Sequence, residues 1–300
     1  MKRLKKHYKL IPIAVLIIGI VIYAAVQLLE KPKTTATWIW DVSQIKGKEE
    51  ETIEFAKDKN VNLIYLHVSL KKFDEEAYQT FIKEASSENI EVYALGGDPS
   101  WGLEDNRKSL DKFADRIKNY NDESRKDQQF KGVHLDIEPY LLPEWERNQQ
   151  EVVNQWVGNM EYLKDKIKQG TDLHVSGDFP FWLNQVEVAK THESLGEWMV
   201  GHLDSITIMA YRDSTNGKNG IKHLVTPLVE TAANQKKSVI IGVNVINTDE
   251  GKHTTFYDSS PIKMNRELND LKKEFKGHPG YGGVAVHDYS HWKKWMKLNS

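Results

Sequence analysis

The stretch GVHLDIEPY, residues 132–140, decides how this chain is read. A short apolar strand here ends by delivering Asp136 and Glu138 to one face, because side chains two apart on a strand point the same way, with Cα atoms about 7 Å apart. Pro139 has no amide hydrogen to give a sheet, so the strand stops at the carboxylates. Buried strands exclude charge unless it is paired or put to use. In parallel barrels and open α/β sheets the active site lies at the carboxyl ends of the strands. Two carboxylates at such an end therefore read as catalytic.

Strand candidates recur on both sides of this stretch. TWIWDVS (37–43), VNLIYLHV (61–68) and IEVYALGG (90–97) precede it, and DLHVSGD (172–178), LDSITIMAY (203–211), SVIIGVNV (238–245) and YGGVAVHD (281–288) follow. Polar segments of helical period lie between them, among them Asp74 to Ser87, Arg107 to Tyr120, Gln149 to Gln169 and Pro261 to Phe275. The strands are nearly continuously apolar, as parallel strands covered on both faces must be. Eight strand-helix units in about 265 residues predict an α/β fold, a closed (β/α)8 TIM barrel over residues 37–300. Its strand ends carry Asp41, Ser43, His67, Gly96, Gly97, Asp136, Glu138, Asp178, Tyr211, Asn244 and His287, which converge on one mouth.

Composition narrows the function classes. Without cysteine there is no disulfide, thiolate metal site or Cys nucleophile, and a net charge of −2 gives no sign of a nucleic-acid partner. No cofactor is called for. Nine Trp and twelve Tyr supply flat faces that serve sugar rings or fill a core. At the N-terminus Lys2, Arg3, Lys5, Lys6 and Lys9 precede an uncharged apolar run from Ile11 to Leu29. Those 19 residues span about 28 Å as a helix, close to the thickness of a bilayer core. Tyr23, Ala24 and Ala25 make a poor cleavage site. The expectation is a cytoplasmic basic tail (1–10), an uncleaved transmembrane signal anchor (11–29), a short linker (30–36) and a barrel facing outward.

GVHLDIEPY resembles the fourth strand of glycoside hydrolase family 18, the chitinases and endo-N-acetylglucosaminidases, whose pattern is DGxDxDxE with the last Glu as acid. Gly132, Asp136 and Glu138 fit, while Lys131 and His134 stand where the family has Asp. ALGGDPSW (94–101) looks like the family's third-strand SxGG segment, ITIMAY (206–211) like its sixth-strand MxY segment, and GGVAVHD (282–288) like its eighth strand. The four fall in the family's order and cover most of the barrel. The resemblance implies a membrane-anchored extracellular glycosidase acting on a β-linked polysaccharide of N-acetylated amino sugars. It implies that Glu138 protonates the glycosidic oxygen, that Asp136 orients the substrate's 2-acetamido group as it attacks the anomeric carbon, and that Tyr211 holds that group. Arg212 follows Tyr211 where the family usually has Asp, and His287 replaces the Trp expected to floor the acetamido pocket. The polymer stays open among peptidoglycan, chitin-like chains, N-acetylated biofilm polysaccharide and host N-glycans. Asp178, Asn244, His287 and Asp41 are candidates for sugar contacts, and Trp101, Trp182 and Trp292 for stacking platforms.

The residues admit other readings. IEP (137–139) resembles the NEP acid/base segment of the large retaining glycosidase clan, whose nucleophile is a Glu ending the seventh strand; here Asn244 holds that place, with Asp249 and Glu250 farther out. An inverting pair would use Asp178 or Asp213 as base. His134, Asp136 and Glu138 share a face, and His67, His174 and His287 lie on other strands, which suits a metal-dependent deacetylase or amidase. The departures at His134, Arg212 and His287 also fit a barrel that binds carbohydrate without cleaving it. Glu138 argues against that, since a lectin has no use for an acid beside the scissile bond.

Overall fold

Eight parallel strands close into a barrel in the computed structural model, which describes residues 33–299. They are β1 (Thr34–Ile39), β2 (Leu63–His67), β3 (Glu91–Gly96), β4 (Gly132–Leu135), β5 (His174–Pro180), β6 (Ser205–Met209), β7 (Val239–Asn244) and β8 (Tyr281–His287). Each strand pairs with the next in sequence, and β8 pairs with β1 to close the ring. The helices that follow them are α1 (Glu49–Asp58), α2 (Glu75–Ser87), α3 (Arg107–Glu123), α4 (Gln149–Lys168), α5 (Leu195–His202), α6 (Ile221–Asn234), α7 (Pro261–Glu274) and α8 (Tyr289–Leu298).

The expected TIM barrel is present, with one boundary moved. Thr34 to Thr37 pair with Gly283 to Val286, so the barrel begins inside the segment expected as a linker. Asp41 and Ser43 consequently fall beyond the end of β1. The expected anchor at 11–29 and the basic tail lie outside the described residues. Among the described residues no helix is long and apolar enough to cross a membrane.

Strand periodicity sorts the side chains into two cores. Val133 and Leu135 point outward against the helices, where they join a cluster that includes Leu110, Phe113, Ala114 and Ile117 of α3 at helical spacing. Inside the barrel, Trp38, Tyr65, Tyr93 and Leu95 interdigitate with Ala36, Ala285 and Ile240. Large rings on β1, β2 and β3 are accommodated because the facing strands place Gly132, Ser176, Gly242 and Ala285 at inward positions. The barrel axis is thus filled, and chemistry is confined to its ends.

Caps fix where helices begin. Asp74 accepts a hydrogen bond from the Ala77 amide, Asn148 from Glu151 and Asp288 from His291, and Ser194 with Glu197 forms a reciprocal capping box on α5. Each such cap contributes about 1 kcal/mol. The cap at Asp288 follows directly on β8, so it also fixes the backbone next to His287 at the mouth.

Candidate active site

The mouth is built at the carboxyl end of β4. The strand itself ends at Leu135, but the Asp136 amide still donates to the Gly96 carbonyl at 3.0 Å, so Asp136 stays tied to the barrel one residue past the strand. Gly97 permits this approach: a Cβ there would stand 1.8 Å from the Asp136 carbonyl oxygen. Pro139 then starts a single 3-10 turn over Pro139–Leu141, which leaves Glu138 at the rim and brings Tyr140 back beneath it. The Tyr140 hydroxyl donates a hydrogen bond to Glu138 Oε2.

Three carboxyls meet here. Burial pushes the Asp136 carboxyl well above the usual range, and the negative charges of Asp178 and Glu138 add to the effect. Burial raises Asp178 likewise, opposed by a hydrogen bond from Trp38 Nε1 to its Oδ2 at 2.8 Å. Tyr211, just past the end of β6, has its hydroxyl pushed well above its ordinary value by burial and by Asp178, Asp136, Glu138 and Asp288. Asp136, Glu138 and Tyr211 are therefore brought together as the sequence led us to expect.

His134 lies one inward position below Asp136 and is fully buried. Its ring stacks on Tyr65 with centroids 3.5 Å apart and planes 7° apart, and its Nδ1 meets Ser176 Oγ at 2.7 Å. Its Nε2 is 2.9 Å from Asp178 Oδ2 but off the line a hydrogen bond needs. Burial holds the imidazole well below its ordinary pKa, so it is neutral. His287, at the end of β8, accepts from Trp40 Nε1 at 3.2 Å and faces the Tyr211 ring at 5.9 Å. Burial lowers its pKa to about 4.

Other candidates have different roles from those expected. Asp178 is only 2% exposed, so it is an interior group and not a contact for a sugar hydroxyl. Trp101 is 9% exposed and packs on Phe113, because the 3-10 turn Pro99–Gly102 folds it under the loop into the outer core. Trp292 sits on the inner face of α8 against Phe55. Neither can be a stacking platform. Asp41 is exposed and its carboxylate binds the Ser43 amide and hydroxyl at 2.8 and 2.6 Å, capping a turn. Asn244 uses its Oδ1 to accept from the Ile246 amide at 2.9 Å, which closes the turn after β7. Asp213 is ion-paired with Lys263, which occupies the base of an inverting pair.

Trp182 is half-buried and at the mouth, edge-on to Tyr140 at 5.0 Å and to Trp145 at 6.2 Å. This aromatic wall adjoins Glu138 through Tyr140. Beside it Arg212 lies over Phe181 at 4.9 Å and donates to the Tyr211 carbonyl at 2.6 Å. Tyr140 and Trp40 were absent from the expected site. Trp40 had a signal, since WIW puts Trp38 and Trp40 on one strand face; Tyr140 had none, because Pro139 breaks the alternation. Among the described residues, no group of three or more His, Asp or Glu is arranged to hold a metal ion.

No protein-family model matches the chain, and no curated protein matches it. Solved structures do match. A family 18 chitinase from Pseudoalteromonas aurantia superposes with a TM-score of 0.55 at 14% identity, covering 88% of this chain and 98% of that one. A chitinase from Chromobacterium violaceum gives 0.55 at 9% identity, covering 89% and 99%. The spore cortex-lytic enzyme SleL of Bacillus megaterium gives 0.52 at 13% identity, covering 89% and 74%. At these identities the likeness is one of fold, a chitinase-like TIM barrel.

Proposed function

We propose that this chain is a glycoside hydrolase that cleaves β-linked polymers of N-acetylated amino sugars by substrate assistance, its barrel displayed outside the membrane on an N-terminal anchor. The observation that carries the reading is the meeting of Glu138, Asp136 and Tyr211 at the carboxyl-terminal mouth, beside the aromatic wall of Tyr140, Trp145 and Trp182. That solved structures sharing the fold are named as chitinases and a spore cortex-lytic enzyme supports the same class.

The steps follow from the positions. Glu138 gives its proton to the glycosidic oxygen as the bond to the anomeric carbon breaks. The acetamido oxygen of the same sugar attacks that carbon, so a cyclic oxazolinium forms and no protein nucleophile is needed. Asp136 accepts a hydrogen bond from the acetamido N–H and offsets the positive charge, and Tyr211 holds the group in line. Water, deprotonated by Glu138, then opens the ring with net retention. The end of β7 supplies no carboxylate to compete with this route, since Asn244 occupies it and closes a turn.

Reducing-end release from a panel of chitin-like chains, peptidoglycan, N-acetylated biofilm polysaccharide and N-glycans tests the class. New reducing ends are expected from at least one of them. Saturable binding to such a polymer with no release from any would instead make this a carbohydrate-binding barrel.

Anchoring has its own test. The basic cluster before Ile11 to Leu29 favours a cytoplasmic N-terminus. Protease added to intact cells is expected to digest the barrel and leave the short tail. Native protein beginning near residue 30 and free in the medium would refute the anchor.

A further inference from the structure

Arg212 puts a cation at the rim of a mouth built from carboxyls. It follows directly on Tyr211, on whose hydroxyl Asp178, Asp136, Glu138 and Asp288 all act. Its charge is not taken up by any of them: among the described residues Arg212 forms no ion pair, and the acid that acts on it from farther off is Glu250, exposed on the loop after β7. The next residue, Asp213, is by contrast paired with Lys263.

The way the side chain is held shows which of its donors are committed. Nη1 donates to the Tyr211 carbonyl at 2.6 Å. The guanidinium lies over the ring of Phe181 at 4.9 Å, and Phe181 opens the 3-10 turn Phe181–Gln185 that also carries Trp182. These two contacts fix the position of the group. Nε is buried without a hydrogen-bond partner, and Nη2 makes no hydrogen bond among the described residues. Nε–H and Nη2–H project from one edge of the guanidinium, the edge that grips a carboxylate in two parallel hydrogen bonds. A buried donor without an acceptor is costly, and so is a cation partly withdrawn from water; burial already pulls this guanidinium below its ordinary pKa. An anion on the free edge relieves both costs. To clasp the loop after β6, Nη1 alone would serve.

We infer that Arg212 is a specificity-determining residue that binds a carboxylate carried by the polymer itself, so that the preferred substrate is an acidic chain of N-acetylated amino sugars and not a neutral one. This rests on the glycosidase reading, and it narrows the substrate of that same site. A carboxylate is planar and matches the planar fork. Since Tyr211 holds the acetamido group of the sugar being cleaved, the residue after it reaches that sugar or its neighbour beside Trp182. The acid can be a lactyl ether on one of the amino sugars, as in peptidoglycan strands freed of peptide, or a hexuronic acid alternating with them. The chemistry recognised is the same in both.

The test uses the full-length protein and four chains of equal length: a neutral N-acetylglucosamine oligomer, a lactyl-bearing strand, the same strand with its carboxyls reduced to alcohols, and a chain alternating with hexuronate. In the wild type, kcat/KM for at least one carboxylate chain is expected to exceed that for the reduced strand and the neutral oligomer by at least about tenfold, the effect of one hydrogen-bonded charge. Which chain shows it identifies the source of the acid. The advantage should lie mainly in KM and shrink as salt is raised. In Arg212→Gln, which keeps a donor for the Tyr211 carbonyl, the ratio of charged to uncharged chain should fall to near one; a structural role would slow all four chains alike and leave the ratio standing. Arg212→Lys should restore only part of it, because a point charge cannot form the fork. If circular dichroism shows Arg212→Gln unfolded, Arg212→Lys decides. A wild-type ratio near one, a preference for the uncharged chains, or a ratio unmoved in the folded variant overturns the inference. The same ratio is read in binding by titration calorimetry, so a protein that binds a carboxylate chain at least tenfold more tightly through Arg212 yet cleaves none of the four upholds the inference and refutes the glycosidase reading.

Discussion

Glu138→Gln is expected to leave the fold intact and lower turnover on polymer by about two to four orders of magnitude, the usual contribution of a positioned general acid. The substitution is nearly isosteric, and the glutamine carbonyl still accepts from the Tyr140 hydroxyl, so the turn over Pro139–Leu141 has no reason to move. What is lost is the proton for the leaving oxygen. A substrate whose leaving group departs as a stable anion, such as a dinitrophenyl glycoside, needs no such proton. Its bond cleavage should therefore be slowed far less than that of the polymer. Comparing the two substrates in single-turnover experiments separates loss of the acid from general damage to the site. A folded variant with wild-type turnover on polymer would remove Glu138 from the mechanism, and equal losses on both substrates would make it a structural carboxylate.

What could be read from the sequence was what depends on local alternation. The strands VNLIYLHV and SVIIGVNV, bounded by polar helical segments, gave away their burial on both faces, and GVHLDIEPY gave away where one of them ends. The start of β1 was missed because Thr34 and Thr35, although β-formers, directly follow the polar, Pro-containing run Glu30 to Lys33 and read with it as linker; their pairing with Gly283 and Val284 makes them strand. The site was legible where side chains alternate through a strand end, as at Asp136, Glu138 and Tyr211. It was not legible where depth or a loop decides. Asp178 follows a glycine and reads equally as a rim residue, and only its register beside Asp136 shows that it lies inside. Trp101 and Trp292 sit on a loop and a helix, whose packing depends on neighbours far away in sequence. His134 looked like a departure from a family pattern, whereas in three dimensions it is one member of a buried polar set with Ser176, Asp178, Trp38 and Tyr65.

The second large effect lies in the substrate. If the attacking oxygen belongs to the acetamido group, then removing that acetyl removes the nucleophile, and a de-N-acetylated polymer should be inert at concentrations where the acetylated one is cleaved readily. Among the described residues, Asn244 at the end of β7 is engaged with the Ile246 amide and Asp213 with Lys263, so neither of these positions offers a replacement. A thiazoline that mimics the cyclised intermediate should bind at least about a hundredfold more tightly than substrate, as complementarity to the transition state requires. Asp136→Ala should lower kcat by about 10²–10³, the loss seen when one preorganised partner of transition-state charge is removed, and should change binding of intact polymer much less. The thiazoline should lose most of its advantage in that variant, because the charge it presents has lost its counterion. Reducing-end kinetics on acetylated and de-acetylated chains, with inhibition constants for both proteins, make the comparison. Efficient cleavage of a chain without any 2-acetamido group, or isolation of a sugar esterified to a protein carboxylate, would establish a protein nucleophile and overturn substrate assistance, while leaving Glu138 as the acid.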